Sequence, residues 1–481
     1  MQPLWQLSAT ALVAGFKEQR WTPVDALLSV KQRLAAINPL INAIVTLAPD
    51  AEAAAQASTQ RYIDAKPLSE IDGVPISVKD NLLLKGSTST WGTPALKHYI
   101  PDHDELPVAR LRQAGAILFA KTNVPEFTLE GYTGNPIYGV TRNPWDLSTT
   151  PGGSSGGAAA SIAAGIGPIA LCTDGGGSIR RPAAHCGLVG LKPSIGTIAR
   201  GNGFPSLLLD MEVVGPITRT IDDAELALKI LSGPDARDRL SLATPRPSFI
   251  PVKSILCVTA MDNAPVDKNI CMQVEQAANT LEEQGLIIEY GALPIDLTAL
   301  NAVWSQIGQQ GMAFLAQKNP VWVSQASPPY QEMATSGAFL SSTTLWNGLN
   351  EIAQLRNQID QLFEQYDAIL MPSIAALAWK AEERFPNTID NEAVGPRGHA
   401  IFTGWVNACG CPALNVPTQP ANNGQAIGMQ LIGSMGSELS LLAIGRTLEK
   451  HINWQERLLG LWTAQNNENT QQPNASTASN L

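Results

Sequence analysis

"STTPGGSSGGAAASIAAGIGPIALCTDGGGSIRRPAAHCG", residues 148–187, sets Ser154 and Ser178 inside two glycine runs. Glycine adopts backbone conformations closed to other residues, so such runs can fold tightly around a reacting atom. Between the runs, 156–164 reads as a small-residue helix stopping near Gly165, and PIALCT (168–173) as a compact strand. Upstream, PVARLRQAGAILFAKT (107–122) is a helix ended by Gly115 and then a strand, and GVPISVKDN (73–81) is a buried strand closing on Lys79. This alternation predicts an α/β fold.

Working outward, 8–20 and 23–37 read as amphipathic helices, capped by Ser8 and by Thr22 ahead of Pro23. An alanine-rich helix is expected over 50–65. TRTIDDAELALKILSG (218–233) has a cap at Thr220, acidic residues in its first turn and a closing glycine. The segment 123–153 is loop-like, and 234–390 alternates helix and strand patterns without a motif that assigns it. Strand-like runs return in 401–433 as PALNVP and AIGMQLIG. The tail 464–481 is polar, almost uncharged and without apolar periodicity, so disorder is expected there. No linker precedes it, and 1–463 reads as one domain.

Composition narrows the function classes. The 481 residues carry a net charge of −10 with no lysine- or arginine-rich run, which argues against nucleic acid as a partner. No apolar run approaches membrane-spanning length, and no signal peptide is read at the N-terminus. Of the six cysteines (Cys172, Cys186, Cys257, Cys271, Cys409 and Cys411) only the last two are close-set, and no second ligand pair accompanies them. Buried reduced thiols in a cytoplasmic protein are expected rather than a metal site.

Which serine reacts, and what takes its proton, is the next question. Residues 152–156, GGSSG, match the nucleophile elbow G-x-S-x-G, but that elbow needs a strand directly before it. NPWDLSTTP, with prolines at both ends, is no core strand. None of the five histidines stands at a telling spacing from a serine and an acid, so each reads as surface or core. A lysine serves as a base once desolvation makes it neutral. Lys79 ends the apolar stretch Val74–Val78, although a lysine at a strand end ordinarily reaches solvent.

The combination is more telling. The lysine after GVPISV, then PGGSSGG, then TDGGGSIRRPAAHCGLVGLKPS, with Ser154 and Ser178 24 residues apart, resembles the amidase signature family. TNVPEF, NPIYGVTRNPWDLS, GPITRTIDDAELAL and CPALNVP extend the resemblance over most of 1–235 and 400–460. It implies a single large α/β domain with a central twisted mixed β-sheet covered by helices on both faces. Within it, 1–65 would be an N-terminal helical segment, 73–235 the signature core, 236–390 a variable substrate-side region and 391–463 the C-terminal part of the core.

The resemblance further implies a Ser-cisSer-Lys triad: Ser178 as nucleophile, Ser154 as bridging serine and Lys79 as base. Backbone N–H groups of Gly175, Gly176, Gly177 and Ser178 would form the oxyanion hole, braced by Asp174 and Arg180. Gly175 departs from the bulkier residue of many members. Trp304, Trp322, Trp346, Phe314 and Phe339 read equally well as an acyl pocket or as core. The implied activity is hydrolysis of a small amide (aryl or aliphatic amide, oligoamide or carbamate) without metal or cofactor. Partners would be that small molecule, with neither nucleic acid nor membrane, and room is left for a homodimer. The alternative is a role as the amidase component of a tRNA-dependent amidotransferase, whose substrate-glutamine segment is not found in 300–345.

Overall fold

Eleven strands form one mixed sheet in the computed structural model, which describes residues 2–261 and 263–471. In chain order they are β1 (Ile44–Leu47), β2 (Pro75–Lys79), β3 (Ile117–Thr122), β4 (Ile169–Asp174), β5 (Val189–Lys192) and β6 (Val213–Thr218). They continue as β7 (Ser254–Cys257), β8 (Ile287–Tyr290), β9 (Ala368–Pro372), β10 (Ala413–Pro417) and β11 (Gly428–Gly433). Across the sheet the order is β1-β3-β2-β4-β6-β5-β10-β11-β9-β7-β8. The pairs β3–β2, β2–β4, β9–β7 and β7–β8 are parallel, and the centre from β4 to β9 is antiparallel throughout.

Helices cover both faces, which is why the inner strands read as continuous apolar runs instead of alternating ones. In β4, Ala170 and Cys172 pack on one side with Ile162 of the helix Gly156–Ala163, while Ile169 and Leu171 pack on the other with Leu12 and Leu226. In β9, Ile369 and Met371 face Trp405, while Ala368 and Leu370 face Leu441. The single-domain α/β architecture is therefore as the sequence implies. The segment 236–390 contributes three of the strands, β7, β8 and β9, to the same sheet.

The caps form as read. Ser8 accepts from Ala11 N, Thr220 from Asp223 N, and Thr22 with Asp25 closes a complete capping box. The helix opened by Pro23 continues through Pro39 to Ile41, past the expected end at 37, because Ile37 and Ile41 are both buried. One expectation fails. The final helix, Trp454–Gln471, runs through the beginning of the segment expected to be disordered. Its apolar side, Trp454, Leu458 and Trp462, lies before residue 464, and the polar residues that follow are held by Arg33, which donates to Gln465 Oε1 and Asn466 Oδ1. Residues 472–481 lie outside the described residues.

Candidate active site

Lys79 ends β2 in the interior of the sheet and is fully buried. β2 lies beside β4, so the lysine reaches Thr173 on the neighbouring strand. Its Nζ donates to Ser154 Oγ (2.9 Å), Thr173 Oγ1 (2.9 Å) and the Thr173 carbonyl (3.2 Å). Among the described residues no carboxylate comes within ion-pair distance. Burial therefore lowers the ammonium to about 8, against the weaker pull of Cys172, Glu212 and Asp174 in the other direction. The Thr173 carbonyl can only accept. A neutral amine that donates its two hydrogens to Thr173 turns its lone pair to the Ser154 hydroxyl.

Ser154 follows a cis Gly153–Ser154 peptide bond. Gly153 cannot be anything larger, since a Cβ there would lie 2.2 Å from the Tyr132 carbonyl oxygen. The two serine-bearing segments are tied together where Ser155 N donates to the Ser178 carbonyl (3.2 Å). Ser178 itself is 6% exposed.

The glycine loop before Ser178 is held from below by Asp174. Its carboxylate accepts from Gly177 N (2.7 Å) and Ile179 N (3.0 Å), and from Arg180 Nη2 (3.0 Å) and Nε (3.1 Å). Burial alone would raise this carboxyl; the Arg180 guanidinium and these hydrogen bonds outweigh it and hold Asp174 well below the usual carboxylate range. Arg180 also donates to Gln430 Oε1, the Thr403 carbonyl and Asn407 Oδ1, residues more than two hundred positions away. Asp174 and Arg180 thus brace the loop.

One expectation changes here. The Gly177 N–H is taken by Asp174, while those of Gly175, Gly176 and Ser178 have no partner among the described residues. Gly177 has φ +111°, and a Cβ on it would meet Thr403 Oγ1 at 2.3 Å. At Gly175 a Cβ would lie 2.7 Å from Leu208 Cδ1, the tip of a side chain that can turn aside.

Low lysine basicity alone does not select Lys79. Lys121 and Lys192 are equally buried and likewise pushed to about 8. Lys121 donates to the Leu82 carbonyl and Ser89 Oγ, and Lys192 to the Pro193 and Cys411 carbonyls. Of these three lysines, Lys79 is the one that bonds a serine of the glycine runs. Two of the histidines, His185 and His399, are buried, and burial lowers His185 to about 3. Both rings pack on Trp379.

Of the aromatic residues in the middle segment, Trp304 lies against the loop, 3.4 Å from where a Cβ of Gly176 would be. Trp322 packs on Phe204, whereas Phe339 and Trp346 are 86% and 71% exposed. Thr173, Thr403 and Asn407 were not singled out from the sequence, and no local pattern marks the last two. Two surface cavities lie away from the serines, one of about 670 Å³ beside Thr197 and Pro245 and one of about 540 Å³ beside Phe204 and Trp322. No helix among the described residues is long and apolar enough to cross a membrane.

Comparison with known proteins places this geometry. A family model described as Amidase matches residues 25–442, and the chain belongs to the amidase signature family. It is 33% identical over 478 residues to the A component of the glutamyl-tRNA(Gln) amidotransferase of Symbiobacterium thermophilum, covering 92% of this chain and 96% of that protein. The corresponding protein of Alkaliphilus metalliredigens is 30% identical over 471 residues, covering 91% and 95%. Among solved structures, a bacterial aryl acylamidase of the amidase signature family superposes with a TM-score of 0.87 at 26% identity, covering 96% of this chain and 99% of that one. A 6-aminohexanoate cyclic dimer hydrolase superposes with a TM-score of 0.86 at 25% identity, covering 95% and 100%.

Proposed function

We propose that this enzyme cleaves the C–N bond of a small amide through an acyl-enzyme on Ser178. The observation that carries the reading is the buried Lys79–Ser154 hydrogen bond, with the lysine lowered to about 8 and no carboxylate within ion-pair distance among the described residues. Ser178 Oγ attacks the amide carbonyl while its proton passes to Ser154, and the proton of Ser154 passes to the lone pair of Lys79. The oxyanion is met by the free N–H groups of Gly175, Gly176 and Ser178; losing one such donor costs about 2.7–4 kcal/mol. Lys79 then returns a proton through Ser154 to the departing amine. Water enters, gives its proton to the same relay, and releases the acid. Five of the six free cysteines are buried, which fits a reducing, cytoplasmic setting.

A second reading has its own support. Both amidotransferase relatives are the A component of a glutamyl-tRNA(Gln) amidotransferase, and they favour that role over a stand-alone amidase. The chemistry at Ser178 would be the same, with the released ammonia passed to a partner. Assay of the purified lone chain on a panel of primary amides, anilides and a carbamate separates the two. Turnover that vanishes in Ser178→Ala supports the stand-alone amidase. Cleavage of glutamine alone, raised by added partner proteins, supports the second. Turnover retained by folded Ser178→Ala removes that serine from the mechanism.

A further inference from the structure

Cys409 and Cys411 are the close-set pair among the six cysteines, and the amide chemistry gives them no role. Cys409 ends the helix Gly404–Cys409, Gly410 turns the chain at φ +83°, and Cys411 leads through Pro412 into β10. Both side chains are buried in one apolar cluster. Two Cα–Cα steps of about 3.8 Å, folded at such a residue, place the outer Cα atoms roughly 5.5 Å apart. A disulfide spans about 4.4–6.8 Å between Cα atoms, so the pair is within its reach.

The two thiols already face each other, with the Cys411 S–H donating to the Cys409 sulfur. Cations stand on two sides. Lys192, at the end of β5, donates from Nζ to the Cys411 carbonyl (2.7 Å). Arg356, on the helix Ser342–Leu362, donates from Nε to the Ala408 carbonyl (3.0 Å), and Asp360 of the same helix is the acid that bears on Cys411. Burial alone would raise Cys409; the Cys411 hydrogen bond, Lys192 and Arg356 outweigh it and bring this thiol below its ordinary value. In Cys172, Cys186 and Cys257 burial prevails and pushes the thiol up. Thiolate character is what makes a cysteine react with an oxidant, and a second thiol beside it resolves the product.

The turn between the two cysteines bears on the site. Gly410 N donates to the Asn407 carbonyl (3.1 Å), and the Gly410 carbonyl accepts from Ile195 N (3.0 Å). Asn407 Nδ2 holds the Asp174 carbonyl and carboxylate, and Thr403, which opens the same helix, donates from Oγ1 to the Gly176 carbonyl (2.8 Å). Drawing the two sulfurs to a bond of about 2.05 Å reorients Gly410 and the end of this helix, and with it the base of the glycine loop.

We propose that Cys409 and Cys411 form a reversible disulfide when the protein meets a two-electron oxidant such as hydrogen peroxide, and that this bond slows turnover by displacing Asn407. The Cys409 sulfur attacks the O–O bond, giving a sulfenic acid and one water. The Cys411 sulfur then displaces the sulfenic oxygen, forming the S–S bond and releasing a second water with the remaining thiol proton. Two thiols are oxidised and one peroxide is reduced to two waters. A dithiol reverses the step by exchange. The effect on turnover rests on the amide-cleaving role of Ser178 proposed above; the bond itself does not.

The test treats the purified full chain with hydrogen peroxide and then with dithiothreitol, in a Cys271→Ser background that removes the half-buried thiol. Peptide mapping is expected to find a Cys409–Cys411 disulfide, with kcat lowered at least about fivefold, KM little changed, and both restored by the reductant. Cys409→Ser and Cys411→Ser should keep the activity of the reduced protein and lose the reversible response. Absence of the bridge after peroxide treatment, full activity of the bridged protein, or a reversible loss that persists in Cys411→Ser overturns the proposal. If no amide is turned over, the role of Ser178 fails separately, and amide hydrogen exchange over 174–178 decides. Faster exchange in the bridged protein than in the reduced one upholds the proposal, and equal exchange overturns it.

Discussion

Lys79 and Asp174 meet burial in opposite ways. Asp174 faces a guanidinium and several N–H donors, and its charge is stabilised; Lys79 faces only hydroxyls and a carbonyl, and its charge is not. The consequence is a pH dependence whose sign follows from the role. Only the neutral amine accepts a proton, so kcat/KM should rise with pH through about 8 and reach a plateau. Lys79→Arg should be inactive across the range because guanidinium does not surrender its proton. A pH–rate profile checks both, and near-normal turnover of Lys79→Arg at pH 8 removes the lysine from the relay. His185 behaves as the reverse of a catalytic group. Its folded value is depressed to about 3, so the unfolded chain binds its proton first. The stability His185 contributes is complete above about pH 6.5 and is lost as pH falls toward 3, by about 1.4 kcal/mol per pH unit. Thermal melts from pH 4 to 8 should show a shallower acid decline for His185→Gln, with turnover at pH 8 within about tenfold of wild type.

At the scale of elements, two segments were legible to different depths. The helix–loop–strand order around the glycine runs was readable because caps, turn glycines and apolar runs are local signals, and the structure returns those elements with small shifts of boundary. The last helix was not, because its polar half is anchored by partners distant in sequence: Arg33 on the helix Pro23–Ile41, and the Pro144 carbonyl, which accepts from Gln465. Its apolar half is anchored more firmly. Trp462 Nε1 donates to the Ala163 carbonyl (2.7 Å), and its ring meets Trp5 edge-on at 5.1 Å. Truncation before Ala464 should therefore cost a modest amount, about 1–2 kcal/mol, through the freed Arg33. Truncation before Trp454 should cost at least about 4 kcal/mol, since three large apolar side chains are uncovered at roughly 1.5–3 kcal/mol each. Denaturant melts of the two shortened chains test this ranking, and equal midpoints would contradict it.

On the scale of the whole molecule, the site depends on segments far apart along the chain meeting at the centre of the sheet. Asn407, on the helix Gly404–Cys409, donates to the Asp174 carbonyl (2.8 Å), to its carboxylate (3.0 Å) and to the Met211 carbonyl (3.1 Å). It touches no reacting atom in the proposed chemistry, yet it fixes the base of the glycine loop. Asn407→Ala leaves buried polar groups unpaired, each worth about 1–3 kcal/mol. The variant should melt lower by several degrees and lose kcat at least tenfold with little change in KM. A variant that is less stable but fully active would show that the loop holds its shape without this brace.

The chain by itself determined the elements around the glycine runs, the caps, the family resemblance and the three residues proposed for the relay, because those are written in contiguous motifs and short periodicities. It marked Gly175, Gly176 and Gly177 alike as donors, since sequence position does not say where an N–H points. Only the folded protein assigned the Gly177 N–H to Asp174 and gave Arg180 its partners in 403–430. These are contacts between segments far apart along the chain. They are decided by how strands β4, β10 and β11 bring those segments together, and no local pattern encodes that.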